Sequence, residues 1–346
     1  MMHVRKAFIV SLFVSIVFGG FAHSVDAKTT PAMRIFYYQD GKNAFASFSQ
    51  HLKSIDVIAP QSYALDAAGT LRGSLDPDVA ALAKKNAIKI MPLVTNAGFK
   101  RATAEAFLDD TVAQAGAITA LTSEALDQGF WGWQMDFENI DVAYRDRYSQ
   151  FIKNASEALR KNNLTLSVAV IAQTSSDPSD YPKDSWQYIV GVYDYASLSS
   201  NADFLSIMAY DDPGSHGPVA RYAWIQQVLT YALQFIPSAK LSLGIPLYYW
   251  QWNTATGKRV GIGGYHGIQN VLNAHVVARG YSAMQQAAFI QYRNKKRHYI
   301  IWYENTKSLT KKFDLIHQYH LAGFSAWALG LESPDVYQAL RALEHG

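Results

Sequence analysis

Eight short apolar segments alternate with helical ones, which predicts an α/β fold built on a parallel sheet. Eight such units predict a closed (β/α)8 TIM barrel. A doubly wound sheet would instead want a glycine-rich phosphate turn after an early strand, and none follows the first three. A less regular segment, about 248–302, interrupts the alternation after the seventh strand. It is expected to be a small insertion on the barrel top.

The elements follow in order. Met33–Tyr38 reads as the first strand, and Ala44–Leu52 as a helix that Asn43 can cap. Ile55–Tyr63 is the second strand, with a turn at Leu65–Gly69. Pro77–Lys85 is helical, since Asp76 suits a cap and proline suits a first helical position. Ile88–Thr95 is the third strand and Thr103–Asp127 a long helix. Gly129–Asn139 holds the fourth strand, Ala143–Asn162 a helix and Leu164–Ile171 the fifth strand. Trp186–Leu198 reads as helix, Phe204–Tyr210 as the sixth strand, Val219–Phe235 as helix and Leu241–Leu247 as the seventh. After the insertion come a helix over Lys307–His320, the eighth strand Phe324–Leu329 and a closing helix over Pro334–Leu343.

The start of the chain speaks to its destination. Arg5 and Lys6 precede an apolar run, Ala7 to Ala22, and Val25-Asp26-Ala27 offers small residues for cleavage. That layout predicts a secretory signal peptide over 1–27, and a periplasmic or extracellular mature chain over 28–346. The run is short for a membrane anchor, so no span is expected after cleavage. There is no cysteine, which excludes disulfides, thiolate metal sites and cysteine nucleophiles. A net charge of +3 on 346 residues lacks the basic stripe of a nucleic-acid binder. The basic cluster Arg293 to Arg297 reads as a solvated surface segment. Aromatic residues make up 13% of the chain and suit either a core or a sugar-stacking surface.

In a barrel, chemistry collects at the C-terminal ends of the strands. Those ends carry Tyr37, Tyr63, Asn96, Gln134 with Asp136 and Glu138, Tyr210 with Asp211, Tyr248 and Trp327. No histidine cluster offers a metal site, so no metal or cofactor is expected. No serine sits in a Gly-x-Ser-x-Gly turn. What remains is acid–base chemistry on a neutral, polyhydroxylated substrate. Along a strand, Gln134, Asp136 and Glu138 share one face. A buried parallel strand should be almost wholly apolar there, so these residues need a reason. A solvated strand edge with two incidental acids is the competing reading. Two carboxylates beside stacking aromatics suggest glycoside hydrolysis. Side chains two apart on a strand originate only about 6.6 Å apart. A charged Asp136 would then raise the proton affinity of Glu138, as a general acid needs.

Trp-Gly-Trp-Gln-Met-Asp-Phe-Glu138 resembles the Asp-Gly-x-Asp-x-Asp-x-Glu signature of glycoside hydrolase family 18, the chitinase-type barrels. Met208-Ala-Tyr-Asp211 is similar to that family's Met-x-Tyr-Asp motif after strand six. Leu243-Gly-Ile-Pro-Leu-Tyr248 resembles its strand-seven pattern, and Ser325-Ala-Trp327 its strand-eight tryptophan. Ile301-Trp-Tyr-Glu304 and Gly217-Pro-Val-Ala220 look most like the bacterial branch containing spore-cortex-lytic N-acetylglucosaminidases.

The resemblance implies a catalytic set of Glu138, Asp136 and Tyr210. Glu138 would protonate the glycosidic oxygen and then activate water. The substrate's own 2-acetamido oxygen would be the nucleophile, with retention of configuration. Asp136 would orient that group and Tyr210 would hydrogen-bond its carbonyl, while Asp211 would touch the same sugar and Trp327 would floor it. Gln134, Tyr63, Asn96, Tyr37, Met208 and Tyr248 complete the expected substrate-binding set. The implied partner is an N-acetylglucosamine-containing glycan, from peptidoglycan or a chitin-like polymer. A non-catalytic lectin on the same barrel and an endo-acting N-glycan hydrolase are the alternatives. The chain departs from the signature at Trp131 and Gln134, where the family has acids. An amide at position 134 could still hydrogen-bond Asp136.

Overall fold

A computed structural model describes residues 32–272 and 275–343. The expected signal peptide, 1–27, lies outside these residues. Eight barrel strands run in chain order: β1 Met33–Tyr38, β2 Val57–Leu65, β3 in two pieces (Lys89–Ile90 and Leu93–Asn96) and β4 Gly132–Asp136. They continue as β5 Thr165–Ile171, β6 Phe204–Met208, β7 Leu241–Pro246 and β8 Gly323–Trp327. Each is parallel to its neighbours, and β1 pairs with both β2 and β8, which closes the barrel. The break in β3 falls at Met91-Pro92, where proline has no N–H to give the ladder.

Outward side chains of the strands meet the helices in one continuous apolar layer. Phe107, Phe137 and Phe151 interlock in it, with ring centroids of 5.0 Å between Phe107 and Phe151. The interior divides into levels. At the N-terminal end Trp131 stacks on Phe204, and Ile35, Val57 and Met91 fill the space around them. Trp131 therefore plugs the floor of the barrel, at the end opposite the chemistry.

Above it lies a polar level. The Tyr37 hydroxyl donates to Gln134 Oε1 at 2.7 Å, and Gln134 Nε2 donates to Ser167 Oγ and Ser206 Oγ, each at 2.9 Å. Ser325 Oγ lies 2.9 Å from Ser206 Oγ and 2.6 Å from Ser242 Oγ. These side chains come from β1, β4, β5, β6, β7 and β8, so the network ties most of the barrel together. Buried polar groups are tolerated when each finds its partner, and here they do.

Three expected helices are revised. Thr103–Asp127 is two helices, Arg101–Asp109 and Thr111–Gln128, because Asp110 accepts from the backbone N–H of Val112 and Ala113 and starts a new helix. Trp186–Leu198 divides into a π-helical turn, Trp186–Val190, and a helix Tyr195–Asn201 capped by Asp194. The Val219–Phe235 helix shortens to Tyr222–Ala232, since the preceding residues form a loop in which Arg221 pairs with Asp212.

The insertion is more regular than expected. It is a five-stranded antiparallel sheet with strand order 259–263, 249–253, 297–303, 287–294 and 275–282, joined by the helix Tyr265–Leu272. Its aromatic residues pair across strands, as Tyr292 and Tyr299 do at 5.1 Å. Trp252 Nε1 donates to Gly217 O at 2.8 Å and fixes the sheet to the barrel top. The basic cluster is the tip of a hairpin, with Lys295 at φ 56°. Among the described residues no helix is long and apolar enough to cross a membrane.

Candidate active site

Gly129 closes the helix before β4 in a left-handed conformation, φ 68°, that favours glycine. From there Trp133, Met135 and Phe137 face the outer apolar layer, and Trp133 Nε1 donates to Leu121 O at 2.9 Å. With those three outward, the period of two turns Gln134, Asp136 and Glu138 inward. The strand ends at Asp136, so Glu138 sits on the first turn of loop beyond it. That turn is held firmly. Tyr193 Oη donates to Phe137 O at 2.7 Å, Asn96 bonds both backbone groups of Glu138, and Asn139 at φ 58° donates from Nδ2 to Phe99 O.

A cleft of about 830 Å³ opens at this end of the barrel. Asp136, Glu138, Tyr210, Asp211, Tyr248 and Trp327 all line it, with Tyr37 and Met208. The Trp327 ring lies 5.2 Å from that of Tyr37, and the Trp327–Ala328 peptide is cis. Tyr248 Oη donates to Asp211 Oδ1 at 2.7 Å. The cleft walls also use residues that the strand-end reading passed over. Gln61 and Gln39, joined at 2.9 Å, come from the middle of β2 and the residue after β1. Phe99 comes from the short helical turn after β3, Tyr181 from a loop and Ile189 from the π-helical turn, and Arg221 pairs with the buried carboxylate of Asp212 at 2.9 Å. Loops and single turns carry no period in the sequence, which is why these residues were not legible there. Among the described residues no three histidine, aspartate or glutamate side chains gather to hold a metal ion.

The charges acting on the two acids differ from the expectation. Burial raises the Asp136 carboxyl to about 8, and the charge of Glu138 adds to the rise. Glu138 is raised too, first by burial and then by the charge of Asp211. Both carboxyls are therefore held protonated to higher pH than usual, and ionising Asp136 is disfavoured further by the charge of Glu138 beside it. Asp136 is the deeper member, and the charge that adds to the effect of burial on Glu138 is that of Asp211. One Asp136 oxygen, Oδ1, is buried without a protein partner, an arrangement suited to a ligand group.

Three expected ligand contacts are corrected. Gln134 is fully buried below the cleft, and both its N–H donors are spent on Ser167 and Ser206, leaving none for the Asp136 carboxylate or a sugar. Asn96 is also buried, bound to the backbone of Glu138. Tyr63 faces the helices, where its hydroxyl donates to Glu124 Oε1 at 2.7 Å. The cause is a register shift between Gln61 and Tyr63, which pairs Tyr63 with the outward Val94. One extra residue in the strand turns the following side chain to the other face.

Comparison with known proteins decides the family. The model of Glycosyl hydrolases family 18 matches residues 34–332, nearly the whole barrel and its insertion. The chain belongs to family 18. This family 18 chain is 26% identical to the "Uncharacterized glycosylase YvbX" of Bacillus subtilis, over 98% of the chain and 99% of that protein. It is 25% identical to the "Cortical fragment-lytic enzyme" of the same organism, over 77% of the chain and 63% of the relative. Among solved structures, a chitinase of Chromobacterium violaceum superposes with a TM-score of 0.80 at 28% identity, covering 91% of this chain and 99% of the other. The spore cortex-lytic enzyme SleL of Bacillus megaterium shares the fold, with a TM-score of 0.80 at 24% identity over 91% and 74% of the two chains. The family 18 barrel of this chain is that of a glycosidase.

Proposed function

We propose that this family 18 glycosidase is exported and cleaves β-linkages beside N-acetylglucosamine in peptidoglycan or a chitin-like glycan. The observation that carries the proposal is the convergence of Asp136, Glu138, Tyr210 and Trp327 on one cleft. In this reading Glu138, held at the mouth of β4, gives its proton to the glycosidic oxygen. The bond to the anomeric carbon breaks as the 2-acetamido oxygen of the same sugar forms a new one, leaving an oxazolinium-like intermediate. The leaving glycan departs with the proton. Glu138, now a base, takes a proton from water as the water attacks, and configuration is retained.

Asp136 suits the stabilising role because its unpartnered Oδ1 is already desolvated. Tyr210 offers a phenol donor for the acetamido carbonyl, and Trp327 offers a flat apolar face for the sugar ring. Asp211 and Tyr248, already bonded to each other, would contact the same sugar. The cortex-lytic names among the relatives favour peptidoglycan, and the chitinase among the solved structures favours chitin. The pure protein is to be incubated with chitooligosaccharides, peptidoglycan glycan strands and a high-mannose glycoprotein. Reducing ends released from the first or second support the proposal. Release from the glycoprotein alone, or binding with no release, contradicts it. Export is tested separately, by N-terminal sequencing of protein recovered outside the cytoplasm. A start near Lys28 is expected, and an intact Met1 would contradict it.

A further inference from the structure

We propose that Asn96 is a positioning residue that carries the β3–β4 ladder one rung past the end of β4 and so fixes the direction of Glu138. The inference rests on the reading of Glu138 as the acid. The last residue pair of the regular ladder is Thr95 opposite Asp136. Beyond it the backbone of β4 turns away, with Asn139 at φ 58°. A strand leaving its sheet loses its partners, and unpaired buried backbone groups are costly.

Asn96 supplies the missing partner with its side chain. Its Oδ1 accepts from the backbone N–H of Glu138 at 2.9 Å, and its Nδ2 donates to the backbone carbonyl of Glu138 at 3.0 Å. Nδ2 also reaches Lys100 O at 3.2 Å. A primary amide has the same donor and acceptor as a peptide unit, so asparagine here imitates one more residue of strand. Asn96 is only 1% exposed and lies outside the cleft lining, so it acts through Glu138 and never on the sugar. With the backbone gripped on both sides, the carboxyl of Glu138 is held toward the cleft. The titratable groups that face it there are Asp136, Asp211 and Tyr193.

Two variants separate positioning from mere stability. Asn96→Ala removes both bonds. Asn96→Asp keeps the shape, and its protonated form can accept and donate as the amide does, whereas its ionised form can only accept. The Glu138 carboxyl is to be titrated by carbon-13 NMR in each folded protein, assigned by its absence from Glu138→Gln. The clamp predicts that Asn96→Ala lets Glu138 turn to water, so that its pKa falls by about one unit or more. On whichever glycan the wild type cleaves, kcat falls on the order of 100-fold while KM stays within about twofold. Asn96→Asp regains rate relative to wild type as pH is lowered, and Asn96→Ala does not. A Glu138 titration and kcat per folded molecule that match wild type in both variants would overturn the clamp. If the wild type cleaves no glycan, the proposed function fails, while the NMR titration still decides the clamp.

Discussion

Gln134 on β4 and Glu138 just past its end both turn inward, yet the structure gives them different work. Replacing Glu138 with Gln keeps volume and hydrogen bonding but removes the proton. Hydrolysis should fall by at least about a thousandfold with the melting temperature unchanged, and near-wild-type turnover would remove Glu138 from the mechanism. Gln134 is predicted to matter for the fold. Gln134→Leu removes the amide partner of the Tyr37 and Ser167 hydroxyls inside the barrel, while Ser206 keeps Ser325. Each unsatisfied group costs about 1–3 kcal/mol, measurable as a lower midpoint in urea unfolding. The inward face of β4 was legible in the sequence because alternation and the apolar norm of parallel strands conflict there. The fate of Gln134 was not. Its serine partners stand on other strands, and each looks like any other small residue until the barrel closes.

At the scale of elements, alternation of apolar strands with capped helices made the eight units readable. The errors lie where a local signal was overridden or too small to notice. Asp110 divides one long helical pattern into two, because a carboxylate with two backbone donors starts a helix better than it continues one. Asp110→Ala is therefore expected to lower stability by about 1 kcal/mol without altering the cleft, a comparison for chemical denaturation and activity together. The shift between Gln61 and Tyr63 is a single residue, and it exchanged the expected sugar contact Tyr63 for Gln61. The insertion hid its regularity because antiparallel hairpins with aromatic cross-strand pairs lack the apolar runs of barrel strands.

For the whole molecule, one cleft collects charge that the rest of the fold must tolerate. Asp136 has a folded-state pKa raised to about 8, well above that of an unfolded aspartate. Between those limits the native state binds more protons than the unfolded chain. The contribution of this group to stability should therefore be complete below the unfolded value and decline as pH rises toward about 8. A thermal melting series from pH 5 to pH 8.5 should show this decline, and Asp136→Asn should flatten it. A wild-type melting temperature that rises over this interval in step with Asp136→Asn would argue against a proton held at that site. The same acids line one cleft with Tyr210 and Trp327, which suits the substrate-assisted mechanism proposed above. The most direct test of that account is the anomeric configuration of the first product, followed by proton NMR during cleavage of a β-linked N-acetylglucosamine oligomer. The account predicts that the new reducing end appears first as the β-anomer and only later equilibrates. An α-anomer formed first would mean inversion and would contradict it.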